Sequence, residues 1–123
     1  MKLKSYVCGR WIEGAGEGVQ LLDATTGALV AQASSSGLDF RRILGHAREV
    51  GGPALRALSF HERAIRLKAL GKHLMEHKEE FYALSFRAGA TKADSWVDIE
   101  GGIGTMLVFA SKGTRELPNS HVY

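Results

Sequence analysis

Ser36-Gly37-Leu38-Asp39-Phe40-Arg41-Arg42-Ile43-Leu44-Gly45-His46-Ala47-Arg48-Glu49-Val50 is where the chain changes period. Phe40, Ile43, Leu44, Ala47 and Val50 recur at helical spacing, so one face of a helix carries them all. Ser36 and Asp39 have the spacing of a capping box, with Asp where Glu or Gln is usual, and Ser36 is the expected cap. Gly51-Gly52-Pro53 is expected to stop this first helix.

Downstream the helical period continues. Ser59-Phe60-His61-Glu62 is a full capping box, and Phe60, Ala64, Leu67, Gly71, Leu74 and Met75 form the next stripe. A bend is expected near His77-Lys78, then a third helix through Glu79, Glu80, Phe81, Tyr82 and Leu84, ended by Gly89. A fourth helix is expected from Asp94 or Ser95 through Trp96, Ile99, Ile103, Met106 and Ala110 to Lys112, closed by Gly113. Thr114 to Tyr123 shows no period, cap or stop signal. The chain is expected to break off there within a connection, as the amino-terminal segment of something longer.

Upstream the pattern is extended. Leu3 to Cys8 and Trp11 to Glu13 flank Gly9-Arg10, a tight connection with glycine first. Gly14-Ala15-Gly16-Glu17-Gly18 reads as a hairpin loop. Val19 to Asp23 and Ala28 to Ser34 then flank Ala24-Thr25-Thr26-Gly27, whose glycine supplies a positive φ. Two short hairpins cannot bury both faces by themselves and must lie on something else. The expected class is α/β: two hairpins followed by about four helices, with no βαβ repeat.

Composition narrows the function. Of 123 residues, 45% are apolar and 24% charged, an ordinary globular balance. The net charge of +3 is spread among Asp and Glu, with only Arg41-Arg42 adjacent and no interleaved aromatic residues, so a nucleic-acid surface is not expected. A single cysteine, Cys8, allows no internal disulfide and suits a reducing cytoplasm. After Met1-Lys2-Leu3-Lys4 the apolar run is only Tyr6-Val7-Cys8, too short for a secretory signal or a membrane span.

Each candidate for chemistry has a plainer reading. Gly14, Gly16 and Gly18 miss the dinucleotide spacing and precede a strand, so no helix dipole faces a phosphate. His73 and His77 lie four apart on one helix face, but two histidines fall short of a catalytic zinc's three ligands, and a solvent-facing pair near a helix end is expected. Asp94, Asp98 and Glu100 suit the positive end of a helix and have no base or nucleophile beside them in sequence. Cys8 lies in an expected strand with nothing to activate it. Gly101, Gly102 and Gly104 within the fourth helix cost about 0.5–1 kcal/mol each. Close packing against another backbone is the expected offset, with a ligand approaching the helix as the alternative.

Several of these stretches resemble the aldehyde dehydrogenases. Tyr6-Val7-Cys8-Gly9-Arg10-Trp11 resembles that family's opening, hydrophobic-x-Gly-x-Trp. Asp23 to Gly27 resembles its Asn-Pro-x-Thr-Gly turn, with Ala24 in place of proline. Ser59 to Arg63 resembles its Glu-Arg helix, and Ala88 to Thr91 falls where Thr-Gly-Lys-Pro is usual. Gly52 to Leu58, Arg115 to Pro118 and above all Gly89 to Thr105 are most similar to one branch. Its members are the bifunctional ring-opening enzymes of bacterial phenylacetate degradation, an oxepin-CoA hydrolase joined to a semialdehyde dehydrogenase. A sister branch, the semialdehyde dehydrogenases of aerobic benzoyl-CoA degradation, shares much of the pattern.

The resemblance implies a parent enzyme that oxidises a CoA-linked semialdehyde with NADP, works as a homo-oligomer in the cytoplasm, and holds these helices beside its dinucleotide-binding sheet. It implies that residues 1–123 are the incomplete amino-terminal part of that NAD(P)-binding domain. The family's nucleophilic cysteine, general-base glutamate, oxyanion asparagine and cofactor-binding lysine come later in its sequences. No catalytic, cofactor-binding or metal-binding residue is therefore expected in this chain, and Cys8 does not match the nucleophile motif. The expected partners are the rest of the parent chain and the CoA-thioester substrate, with no nucleic acid and no membrane. The competing reading is a freestanding helical binding or assembly module.

Overall fold

The computed structural model describes residues 1–122 and divides into two compact units, Met1–Pro53 and a second from Ala54 onward. The class is mixed α/β, with two antiparallel strand pairs and four helical rods.

In the first unit, β1 (Lys4–Val7) pairs with β2 (Arg10–Glu13), and β3 (Val19–Leu22) pairs with β4 (Leu29–Ala33). Val7 lies opposite Arg10, so the hairpin loop is Cys8-Gly9, one residue earlier than expected. Both loop residues have positive φ, 50° and 81°, as a primed two-residue turn requires. Tyr6 pairs with Trp11 across the strands, ring centroids 5.2 Å apart. The β3–β4 turn forms as expected: Asp23 Oδ1 accepts from the amides of Thr25 and Thr26 at 3.0 and 2.9 Å, and Gly27 has φ 69°.

The Gly14–Gly18 loop is not a hairpin. It joins strands of two different sheets and lies on the end of β4, where a Cβ on Gly14 or Gly18 would collide with the carbonyl of Ser34 or Ala33. Those two glycines are required by backbone contact. The amino-terminus also joins β4, Leu3 N–H donating to Gln32 O at 2.8 Å. Ala31, in the middle of β4, is buried.

Helix α1 (Phe40–His46) is capped by Asp39, not Ser36: its Oδ1 accepts from Arg42 N–H at 3.0 Å. Nor does Gly51-Gly52-Pro53 stop the rod. A π turn, Ala47–Gly51, leads into α2 (Gly52–Arg56), which contains Pro53, and the Gly52 N–H donates back to Ala47 O.

The second unit is built on α3 (Phe60–Glu76) and α6 (Gly102–Arg115), which pack along each other. The Ser59 capping box is complete, the hydroxyl accepting from Glu62 N–H at 3.2 Å and Glu62 Oε2 accepting from Ser59 N–H at 2.7 Å. Buried Ala64, Gly71, Ile103 and Ala110 mark the seam. The expected bend falls at His77, followed by α4 (Lys78–Arg87).

The last rod starts at α5 (Lys92–Trp96), earlier than expected, because Thr91 is its cap. It continues through a second π turn (Val97–Gly101) into α6 and ends beyond Gly113. Ser95 before that turn and Ile103 after it are both buried.

The segment after α6 is docked, contrary to its featureless sequence. Ser59 Oγ donates to Asn119 Oδ1 at 2.8 Å, the His61 ring Nε2 to Leu117 O at 2.8 Å, and Phe60 N–H to Ser120 O at 2.9 Å. It thereby supplies acceptors to the amino-terminus of α3.

Candidate functional site

The most structured polar cluster lies between α4 and the second π turn. Lys78 and Tyr82 are four residues apart on α4 and so share a face. Glu100, in the π turn, turns toward that face. Its Oε1 accepts from Tyr82 Oη at 2.9 Å and from Lys78 Nζ at 3.1 Å. Tyr82 is buried, while Lys78 and Glu100 are partly exposed.

The electrostatics follow from those contacts. The Tyr82 hydroxyl and then the Lys78 ammonium hold the Glu100 carboxyl below its ordinary value. Burial, and then the bond to Glu100, push the Tyr82 phenol up. The two groups move apart, each away from the neutral range where a general acid or base works. The cluster is a fixed hydrogen-bonded node rather than a proton relay.

Beside it, Ser95 anchors the same wall. Its Oγ donates to Thr91 O at 2.8 Å, so the 2.8 Å contact with Ser85 Oγ uses the Ser85 proton. Together these contacts frame a groove of about 1000 Å³ lined by Phe86, Ala93, Trp96 and Val97, with Lys92 and Glu79 at its rim. Trp96 is 57% exposed.

The residues singled out from sequence fall elsewhere. Asp94 is occupied by the cap of α5, Oδ2 accepting from Thr91 Oγ1 at 2.6 Å, and Asp98 is exposed. The three acids therefore do not converge: Asp94 plays the helix-start role, whereas Glu100 has partners on α4 that sequence spacing did not reveal. The clue was the Lys78/Tyr82 interval. His73 and His77 meet edge to face, ring centroids 4.4 Å apart, both exposed, with His77 Nδ1 3.9 Å from Glu80. Among the described residues no group of three or more potential ligands gathers at metal distance.

Cys8 occupies the hairpin turn, not a strand, and is half-buried. Gly101, Gly102 and Gly104 correct a further expectation: a Cβ at any of them would meet nothing within 4 Å among the described residues. The close approaches are made instead by Gly71, against Leu107, and Gly113, against Ala64. Among the described residues no helix is long and apolar enough to cross a membrane.

No protein-family model matches the chain. Over 114 residues it is 45% identical to a 3,4-dehydroadipyl-CoA semialdehyde dehydrogenase from Aromatoleum evansii. The match takes in 92% of this chain, which spans 22% of the length of that relative. Over the length matched, this similarity supports a relationship between the chain and the aldehyde dehydrogenases.

Proposed function

We propose that the chain is the amino-terminal part of the NAD(P)-binding domain of a dehydrogenase that oxidises a CoA-linked semialdehyde to the acid with NADP. The observation that carries this reading is the 45% identity across nearly the whole chain. The exposure of Phe40, Leu44, Trp96, Val108 and Phe109 supports it, because apolar side chains left in water on this scale fit a surface that further protein covers. In this reading the catalytic groups, the NADP site and the homo-oligomeric contacts come from sequence outside residues 1–123, and the enzyme works in the cytoplasm.

The relative's own substrate, a 3,4-dehydroadipyl-CoA semialdehyde, favours a dehydroadipyl chain as the acyl part. The second reading, an enzyme of phenylacetate catabolism fused to an oxepin-CoA hydrolase, rests on the resemblance of Gly89 to Thr105.

The test has two parts. The reading frame is followed beyond the codon for Tyr123, and the full product and residues 1–123 are each assayed for NADP reduction with the dehydroadipyl-CoA semialdehyde. A continuing frame whose product is active, with no turnover by residues 1–123, is expected. A stop codon after Tyr123, or turnover by residues 1–123 alone, would overturn the reading and return the chain to the class of freestanding modules.

A further inference from the structure

We propose that His73 and His77 form a surface chelate for a divalent transition-metal ion of the nickel or copper type, a site independent of the dehydrogenase reading. His73 lies in the last turn of α3 and His77 caps its end, four residues on, so both imidazoles leave one face. Their ring centroids are 4.4 Å apart, with the planes inclined at 69°. A metal bonded at about 2.1 Å to one nitrogen of each ring stands about 3.2 Å from each centroid. The centroids are then about 4.5 Å apart for two bonds at a right angle and about 5.2 Å for a tetrahedral pair. The observed spacing matches the right angle. Imidazole ligands at right angles suit square-planar or tetragonal ions, nickel and copper, over tetrahedral zinc.

A third side chain selects the nitrogen. Glu80, in the first turn of α4, places Oε1 3.9 Å from His77 Nδ1. A carboxylate beside one ring nitrogen holds the proton there and leaves the other, Nε2, free to bind metal. Both rings are exposed, so they turn toward a shared ion without disturbing the packing of α3 on α6, and water fills the remaining coordination positions. His73 stands on α3, His77 at the break and Glu80 on α4, so the bound ion pins the bend between the two helices.

The experiment titrates the metal-free chain with nickel chloride at neutral pH and compares it with His73→Gln, His77→Gln, Glu80→Gln and, in the first unit, His46→Gln. Loss of either imidazole should weaken binding about 100-fold, because the second ligand of a linked pair acts at high effective concentration. Glu80→Gln should weaken it about tenfold, and His46→Gln should bind as the unaltered chain does. Nickel should raise the melting temperature of the unaltered chain but not of the two histidine variants, whose melts without metal show that they fold. Undiminished affinity in His73→Gln or His77→Gln, a loss in His46→Gln, or tighter binding of zinc than of nickel would overturn the site.

Discussion

Ala64 and Gly113 stand where α3 and α6 press together, and a Cβ on Gly113 would lie 2.8 Å from the Ala64 Cβ. A methyl directly on a backbone cannot swing aside. Gly113→Ala should therefore lose more to overpacking, about 1–3 kcal/mol, than the roughly 1 kcal/mol it gains in helix propensity. Urea denaturation checks this, and a stabilised variant would refute it. At Gly71 the obstacle is the end of the Leu107 side chain, 2.7 Å away, which can change rotamer, so Gly71→Ala should come out near neutral.

Gly102 and Gly104 should behave in the opposite way. With open space around both Cβ positions, alanine should stabilise the isolated chain by about 0.5–1 kcal/mol at each site. Thermal melts of the two single variants decide it.

Ser59→Ala removes the cap of α3 and the contact with Asn119. The expected loss is about 1 kcal/mol, with faster amide exchange in the first turn of α3. A change confined to the Asn119 loop would show that the cap contributes little.

Stability should fall on acidification because Glu62 and Glu100 both titrate lower in the folded chain than their ordinary 4.5. The backbone and hydroxyl of Ser59 are the causes for Glu62, and Tyr82 and then Lys78 for Glu100. Above 4.5 their stabilisation is complete. As pH drops below that value the unfolded chain takes up protons first, and stability declines until the folded carboxylates are protonated too. Melting temperature against pH should slope downward in that window, less steeply for Glu100→Gln. Tyr82, shifted upward, adds a loss on the alkaline side as pH rises past 10.

Cys8 adopts a positive φ that a residue with a Cβ tolerates poorly, at about 1–2 kcal/mol. Cys8→Asn would create the Asn-Gly pair that primed turns favour and should stabilise the hairpin by about 1 kcal/mol. A lower melting temperature would contradict this reading.

The sequence by itself determined whatever depends on neighbours within a turn or two. The strand pairs, the Asp23–Gly27 turn, the Ser59 capping box and the four helical rods were legible because alternation, helical spacing and caps are local. The Tyr6–Val7–Cys8–Gly9 stretch located a hairpin but missed its loop by one residue, since register depends on which cross-strand pairs form. Tertiary structure decided the rest. Only contacts between distant residues could show that Glu100 turns to Tyr82 and Lys78, leaving Asp94 and Asp98 apart. Ser95 is buried through its contacts with Thr91 and Ser85, and the second of these lies on another helix. Likewise Leu117–Ser120 has no pattern of its own, and its place comes from the unpaired groups at the start of α3. Local pattern fixes which hydrogen bonds a segment can make with itself; packing fixes where the remaining ones find partners.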